Sequence, residues 1–262
     1  MPPRARASWR AVALPDEHGG WGLTAEPALL GLLVAPSWAG LAIAIGAFLA
    51  FVVRTPLKLV LVDRWRHRWL ERTRFAVLVA TGELVLLVAV AVAAISSAGW
   101  DWLAPIALAT PLVAVELSFD MRSRGRRLVP ELCGAVGIAA VAASVALAGG
   151  ATTSLAAALW WVLAARAVAA VPFVRVQIRR LRHPSAASTT TSDVAQVVGI
   201  AAAAAAAIID HSVLAGSVGL TALAVAQLVW VRRPPIPAKA LGIRQLVVGL
   251  AVVGLTAAGV WM

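Results

Sequence analysis

Long apolar segments, interrupted by clusters of arginine, dominate this sequence. Only 13% of the 262 residues are charged, whereas 61% are hydrophobic, and the mean hydropathy is +0.88. Soluble domains carry about 25% charged residues, so the composition excludes an ordinary soluble fold. A helix of about 20 apolar residues crosses the hydrocarbon core and pairs its own backbone amides, which a lone strand cannot do. We therefore predict an all-α, polytopic membrane protein.

Charge clusters, prolines and glycines divide the chain into about nine predicted transmembrane helices. These spans are residues 21–35, 39–62, 75–97, 102–119, 130–148, 154–178, 194–209, 212–231 and 241–261. We expect a single domain over residues 1–262, with a cytoplasmic N-terminal segment at 1–20 and a helix bundle at 21–262. No small-residue cleavage site follows the basic start, so we expect no cleaved signal peptide.

Lysine and arginine are confined to alternate connections of the predicted bundle. They occur in the N-terminal segment and after spans 2, 4, 6 and 8, whereas the other four connections contain neither. Cytoplasmic loops carry the excess of Lys and Arg. We therefore predict a bacterial inner-membrane protein with a cytoplasmic N-terminus and an external C-terminus. The net charge of +11 is then explained by membrane-flanking cations, and we expect lipids rather than nucleic acid as partners.

Ionisable residues also lie within the predicted spans, mostly toward the basic side. Such residues are costly in hydrocarbon and mark either functional sites or structural ion pairs. The cations within the spans suit an anionic, phosphate-bearing substrate. The candidate substrate-binding residues are Arg54, Lys58, Arg166, Arg175 and Arg244. Three carboxylates are candidate ligands for Mg²⁺ beside that phosphate, namely Glu116, Asp120 and Glu131. The alternative is that these acids, with Glu26 and Glu83, only neutralise the cations.

A polar stretch, Pro15-Asp16-Glu17-His18-Gly19-Gly20-Trp21, precedes the first span. His18 beside Glu17 is a candidate catalytic acid/base pair or substrate contact, and the two glycines permit close backbone approach. The alternative for His18 is a boundary histidine that bonds to a carbonyl. The predicted topology puts this stretch at the cytoplasmic mouth, where we expect it to form a lid or first wall of a cavity.

Several short motifs resemble the YwiC-like family of bacterial membrane proteins. They are Pro15 with Glu17-His18-Gly19 and Trp21, Arg54-Thr55-Pro56-Leu57-Lys58, Pro130-Glu131-Leu132 with Gly134, Ala165-Arg166-Ala167 with Val174-Arg175, and Lys239 with Gly242-Ile243-Arg244. Their order extends over nearly the full chain. Gln245 stands where the resemblance implies an acid, and Gly20 where it implies alanine. The resemblance implies a membrane protein without implying a reaction.

The span number and the alternation of polar connections also resemble the UbiA class of intramembrane prenyltransferases. That resemblance implies Asp-rich Mg²⁺ motifs after spans 2 and 6, where this chain offers only Asp63 and Asp193. We expect a UbiA-like bundle with a cytoplasm-facing cavity for an anionic or lipid-linked phosphate. If the protein is an enzyme, we expect a prenyl or phospholipid transferase. A small-anion transporter and a non-catalytic membrane scaffold are the alternatives.

The alternation of basic and neutral connections makes the topology testable by reporter fusions. We expect a periplasm-dependent reporter fused after residue 262 to be active and a cytoplasm-dependent one to be inactive, because nine spans separate the two termini. The opposite pattern at the C-terminus would mean that the number of spans is even.

Overall fold

The chain forms a bundle of long helices. The computed structural model describes residues 12–13, 15, 18–122, 124–125, 127–183 and 188–262. Within these ranges the helices are α1 (His18–Val34), α2 (Trp38–Trp65), α3 (Glu71–Ala98), α4 (Leu103–Met121), α5 (Leu128–Ala148), α6 (Thr153–Arg182), α7 (Thr190–Ile209), α8 (Leu214–Trp230) and α9 (Ala238–Trp261). A short 3-10 helix, His211–Val213, precedes α8. The described residues form no strand, so the all-α prediction is confirmed.

Each predicted span corresponds to one helix. In the described part of the chain, eight segments are long and apolar enough to cross a membrane, and the shorter α1 is also apolar. These are the properties of a multi-pass membrane protein. Helices extend beyond their predicted spans at the arginine-rich side; for example, α3 begins at Glu71 and α6 continues to Arg182. Long arginine side chains reach water from such positions, so helix continues into the interface.

Contacts between connections define two ends of the bundle. Arg232 pairs with Asp193 at 3.0 Å, which joins the α8–α9 connection to the start of α7. Arg180, near the end of α6, donates to the backbone carbonyl of Arg233 at 3.0 Å. At the other end, Ser154 donates to Asp210 at 3.0 Å and joins the start of α6 to the α7–α8 connection. We call the arginine-rich end the basic end and the other the neutral end.

Helices α5 and α6 lie at the centre of the bundle, and α3 and α4 lie at its edge. Within the most apolar windows, 56% of α5 and 61% of α6 are buried, compared with 11% of α3 and 17% of α4. Small side chains permit the close packing, because α5 buries an almost continuous series of alanines between its neighbours. The exposed apolar faces of α3 and α4 are therefore available to lipid.

The edge helices leave a space between them. α3 packs along α2, α4 packs along α5, and their connection lies at the neutral end. There Trp102 is 4% exposed and belongs to a buried cluster with Ile43 and Ala94. Elsewhere in the described residues α3 and α4 do not pack closely on each other. This arrangement closes the bundle at the neutral end and leaves a cavity between α2–α3 and α4–α5.

Close contact between α1 and α5 depends on Gly31, and this dependence is testable. A Cβ atom at Gly31 would lie 2.6 Å from Cβ of Val145, so we expect Gly31→Ala to force the helices apart and cost about 1–3 kcal/mol. Gly254→Ala in α9 is the matched control, since nothing lies within 4 Å of the added atom. Thermal unfolding in detergent measures both variants. Equal melting temperatures would contradict the packing.

Candidate functional site

A cavity of about 2050 Å³ lies between α2–α3 and α4–α5, with further walls from α1, α6 and α9. Most of its surface is apolar, from residues such as Ile43, Leu87, Ile106, Val113 and Val141. Its charged lining residues include Arg124 and Arg127 from the α4–α5 connection and Lys239 from the first turn of α9, all at the basic end. The cavity is therefore amphipathic, with apolar walls along the membrane and its charged rim at the basic end.

Cations outnumber carboxylates in the cavity lining. Among the described residues, the cations that line it are Arg54, Lys58, Arg124, Arg127, Arg166, Arg175 and Lys239, and the carboxylates are Glu26, Glu116, Asp120 and Glu131. Seven positive charges against four negative ones leave a surplus of three positive charges. A cavity with this surplus attracts anions, and the apolar walls strengthen that field.

An ion-pair cluster of Arg54, Lys58, Glu116 and Asp120 joins α2 to α4. Asp120 accepts a hydrogen bond from Nη2 of Arg54 at 2.8 Å and from Nζ of Lys58 at 3.0 Å. The same Nη2 atom lies 2.8 Å from Oε1 of Glu116. Each helix presents two members four residues apart, which places them on one face. Asp120 is 1% exposed, so these partners replace the water that its carboxylate lacks.

Two glycines make room for the carboxylates of this cluster. The carboxylate of Glu116 lies against Gly134 of α5, and that of Asp120 lies against Gly125 in the α4–α5 connection. A Cβ atom at either glycine would overlap the carboxylate. The backbone of α5 and of its preceding connection therefore sets the position of both acids relative to α2.

Two further ion pairs line the cavity and join α6 to α5 and to α1. Nη1 of Arg175 donates to Oε2 of Glu131 at 2.6 Å, and both side chains are about one-third exposed. Deeper in the bundle, Nη2 of Arg166 lies 3.5 Å from Oε1 of Glu26 and donates to the backbone carbonyl of Gln245 at 2.7 Å. Arg166 and Glu26 are nearly inaccessible, so this pair closes the cavity on the side of α9.

The deep pair leaves donors without acceptors. Nε of Arg166 and Nε2 of Gln245 are buried and form no hydrogen bond with the described residues. Glu26 is the one carboxylate that pairs with Arg166 among the described residues, and Gln245 carries an amide where the family resemblance implies an acid. Both side chains line the cavity, so these donors can serve an oxygen atom that enters it.

Arg244 and the acid/base pair of His18 with Glu17 were also predicted as site residues. The guanidinium of Arg244 lies 4.5 Å from the ring of Trp230 and 5.7 Å from that of Phe173, and Arg244 is not among the described residues that line the cavity. Glu17 lies outside the described residues, as does the side chain of His18. The backbone of His18 begins α1, and Gly20 and Trp21 of the same helix line the cavity.

The three acids predicted as Mg²⁺ ligands do not come together as a metal site. Glu116 and Asp120 pair with Arg54, whereas Glu131 pairs with Arg175. No cluster of three or more potential metal ligands occurs among the described residues. Glu116 and Asp120 share one face of α4, as their spacing predicted, and Arg54 and Lys58 of α2 lie opposite that face.

Asp63, near the end of α2, and Asp193, in the first turn of α7, are likewise paired. Asp63 accepts hydrogen bonds from Arg72 at 3.0 Å and from the hydroxyl of Thr73 at 2.7 Å. Asp193 pairs with Arg232. Neither aspartate is among the described residues that line the cavity. Both therefore brace connections of the basic end and do not face the cavity.

Sequence reasoning did not select three cations that the structure places at the cavity. All three were assigned to basic loops, Arg124 and Arg127 after span 4 and Lys239 after span 8, and none was selected as a site residue. All three line the cavity, and none forms an ion pair with the described residues. The nearby acids Glu116, Asp120 and Glu131 are the signal in the sequence that could have pointed to this loop.

Comparison with known families confirms the family resemblance over the first half of the chain, whereas the motifs around Arg166 and Arg244 lie outside the matched region. A family model described as YwiC-like protein matches residues 14–146. The matched region contains α1 to α4 and nearly all of α5, and therefore contributes the whole ion-pair cluster and Glu131. No curated protein and no solved structure matches the chain.

The ion-pair cluster makes a stability prediction at Asp120. We expect Asp120→Asn to lower the free energy of unfolding by about 1–3 kcal/mol, because Arg54 and Lys58 would lose their shared charged acceptor. Asp101→Asn is the matched control, since Asp101 is exposed at the neutral end, and its effect should stay within about 0.5 kcal/mol. Denaturant titration in mixed micelles measures both. Equal stability of the two variants would show that the cluster contributes nothing.

Proposed function

This chain belongs to the YwiC-like protein family, and we propose that it binds an anionic, phosphate-bearing lipid in its intramembrane cavity. One observation carries the proposal: a long apolar cavity ends at a charged rim with a surplus of three positive charges. An amphipathic ligand would place its phosphate at that rim and its hydrocarbon chain against the apolar walls.

The cations of the rim differ in how firmly they are held. Arg54, Lys58 and Arg175 are oriented by carboxylates, so their remaining N–H groups point in set directions. Arg124, Arg127 and Lys239 are exposed and carry the surplus charge. A phosphate offers several acceptor oxygens and suits this combination of oriented arginine donors and adaptable cations. The carboxylates neutralise part of the positive charge at the rim. The additional cations leave a net positive charge that attracts an anion.

The orientation of the bundle is part of the proposal. We infer that the basic end faces the cytoplasm, with the N-terminus inside and the C-terminus outside a bacterial inner membrane. The grouping of arginine-rich connections at one end supports this orientation. Gly20 and Trp21 line the cavity, which supports the expectation that the preceding polar stretch with Glu17 and His18 forms its mouth.

We propose that the protein binds a phosphate lipid, and we do not propose that it catalyses a reaction on it. Group transfer of the UbiA type needs acids at the phosphate, whereas Asp63 and Asp193 are engaged with Arg72 and Arg232. The carboxylates that do line the cavity are paired with its cations. The UbiA-like architecture therefore stays a prediction, and so does an acid/base role for His18 with Glu17.

Transport of a small anion is the competing function. A transport pathway needs an exit at the neutral end, where Trp102 is buried with Ile43 and Ala94 at the end of the cavity. That closure favours a ligand that enters and leaves by the basic end or through the side of the bundle. A scaffold without a ligand would not need cations at the rim that form no ion pair with the described residues.

The proposal predicts that the cations of the rim decide whether a phosphate lipid binds. Native mass spectrometry of the detergent-purified protein should detect a bound lipid phosphate. We expect the triple variant Arg124→Gln, Arg127→Gln, Lys239→Gln to reduce the occupancy of the bound lipid about tenfold or more. Each lost contact to a charged phosphate removes about 1.5–3 kcal/mol of binding free energy at most. Exposure to water lowers that contribution at the rim.

A charge-matched control separates the cavity from general attraction to anionic lipids. Arg64→Gln, Arg68→Gln, Arg74→Gln removes the same charge from exposed positions that do not line the cavity. Occupancy in this variant should remain close to that of the unmodified protein. Equal losses in both triple variants would overturn the proposal, as would rapid flux of a small anion through reconstituted vesicles without any bound lipid.

A further inference from the structure

Glu26, Arg166 and Gln245 form a polar site in the wall of the cavity, below the rim. All three line the cavity, and each is more than nine-tenths buried. Arg166 precedes Arg175 on α6, and Gln245 follows Lys239 on α9. At a rise of about 1.5 Å per residue, these spacings put the site about 9–13 Å deeper than the two rim cations. We call it the deep polar site.

The charges of the deep polar site balance each other. Nη2 of Arg166 lies 3.5 Å from Oε1 of Glu26, and neither residue forms another ion pair with the described residues. A second anion would be repelled by the carboxylate of Glu26, whereas a neutral oxygen would not. Between Arg166 and Arg175, α6 carries only apolar residues. The surplus positive charge therefore lies at the rim, and the deep polar site suits a neutral hydrogen-bond acceptor.

Two buried donors of the deep polar site have no acceptor among the described residues. They are Nε of Arg166 and Nε2 of Gln245. A buried donor without an acceptor costs free energy, so an oxygen that accepts from it is favoured there. Within the described residues, the Gln245 amide has one partner, Nε2 of Gln227, at 3.5 Å from Oε1. Because this distance is at the limit of a hydrogen bond, the amide can turn its donor toward the cavity.

Gly249 gives the deep polar site its space. A Cβ atom at Gly249 would overlap the carboxylate of Glu26 and lie 2.9 Å from Nη2 of Arg166. Gly249 and Gln245 are one helical turn apart on α9, so they share the face that contacts this ion pair. Arg166 also donates to the backbone carbonyl of Gln245 at 2.7 Å. The packing of α9 against α1 and α6 therefore holds the donors at a fixed depth below the rim.

The depth of the site matches the spacing of two polar groups in a glycerophospholipid. About six covalent bonds join its phosphorus to an ester carbonyl oxygen and extend over about 6–7 Å. A hydrogen bond of about 2.9 Å at each end raises the reach to about 12–14 Å. We propose that the bound lipid is an ester-linked glycerol phosphate, whose phosphate lies at the rim and whose ester carbonyl accepts from Gln245 and Arg166. This inference rests on the proposed function, because the phosphate at the rim sets the depth that the carbonyl reaches.

Two lipids that differ at the ester carbonyl test the inference on the full-length protein. The probes are a phosphatidic acid with two ester-linked chains and its dialkyl ether counterpart with chains of equal length, each titrated by native mass spectrometry. Both present the same phosphate and similar hydrocarbon, but the ether lipid lacks the carbonyl acceptor. We expect the ester lipid to bind about fivefold more tightly or better, because a hydrogen bond to a buried donor changes affinity by about this factor.

Variants of Gln245 provide the second arm. Gln245→Leu removes the amide, and Gln245→Glu replaces its donor with a carboxylate beside Arg166. We expect either change to reduce the preference for the ester lipid to about twofold or less, because the carbonyl loses a donor. Gln196→Leu is the matched control, since Gln196 is also fully buried with an amide oxygen that lacks a partner in the described residues, but does not line the cavity. The preference should persist in that control.

The outcomes separate this inference from the proposed function. Equal affinity of the unmodified protein for the ester and ether lipids would overturn the inference, whereas binding of both would still support the proposed function. This comparison needs no variant, so it decides even if a Gln245 variant misfolds. An ester preference that persists in folded Gln245→Leu protein, or that is lost in Gln196→Leu, would also overturn the inference. Absence of binding by both probes, together with absence of any co-purified lipid phosphate, would overturn the proposed function itself.

Discussion

Asp120 holds a carboxylate where almost no water reaches it, and both Arg54 and Lys58 donate to that carboxylate. An unpaired charge in such a place is strongly destabilising, whereas a well-bonded pair is tolerated. The position of α4 relative to α2 is therefore tied to this contact. Glu116 extends it by one helical turn, and Gly125 and Gly134 leave the space that both acids occupy.

The same constraint explains the shape of the cavity. α2 and α4 are held together by polar contacts at one end and by the packing of Trp102 at the other. Between these points α2 contributes glycine and alanine beside Phe51 and Val53, and the apolar side chains of α4 leave the rest of the space open. Packed protein interiors rarely leave voids of this size, so a large space with apolar walls in a membrane is one that lipid or a ligand fills.

Helix boundaries and faces could be predicted because they depend on local pattern. The nine spans follow from hydropathy, and the shared faces of Arg54 with Lys58 and of Glu116 with Asp120 follow from the helical repeat. Which charged side chains pair with one another across different helices could not be predicted in the same way. The sequence grouped Glu116, Asp120 and Glu131 as acids, and only the tertiary structure shows that Arg54 pairs with the first two and Arg175 with the third. Arg244 was grouped with the cavity cations, although it stacks on Trp230.

The amino-acid sequence by itself determined that this chain is a helical, multi-pass membrane protein, because apolar length and backbone pairing leave no other folded state in a bilayer. It also determined which ends of the helices carry positive charge. Only the tertiary structure decided that Arg124, Arg127 and Lys239 meet at one rim, and that α3 and α4 stand apart. Those features depend on contacts between residues distant in the chain, where the size of a glycine or the reach of an arginine matters more than any local repeat.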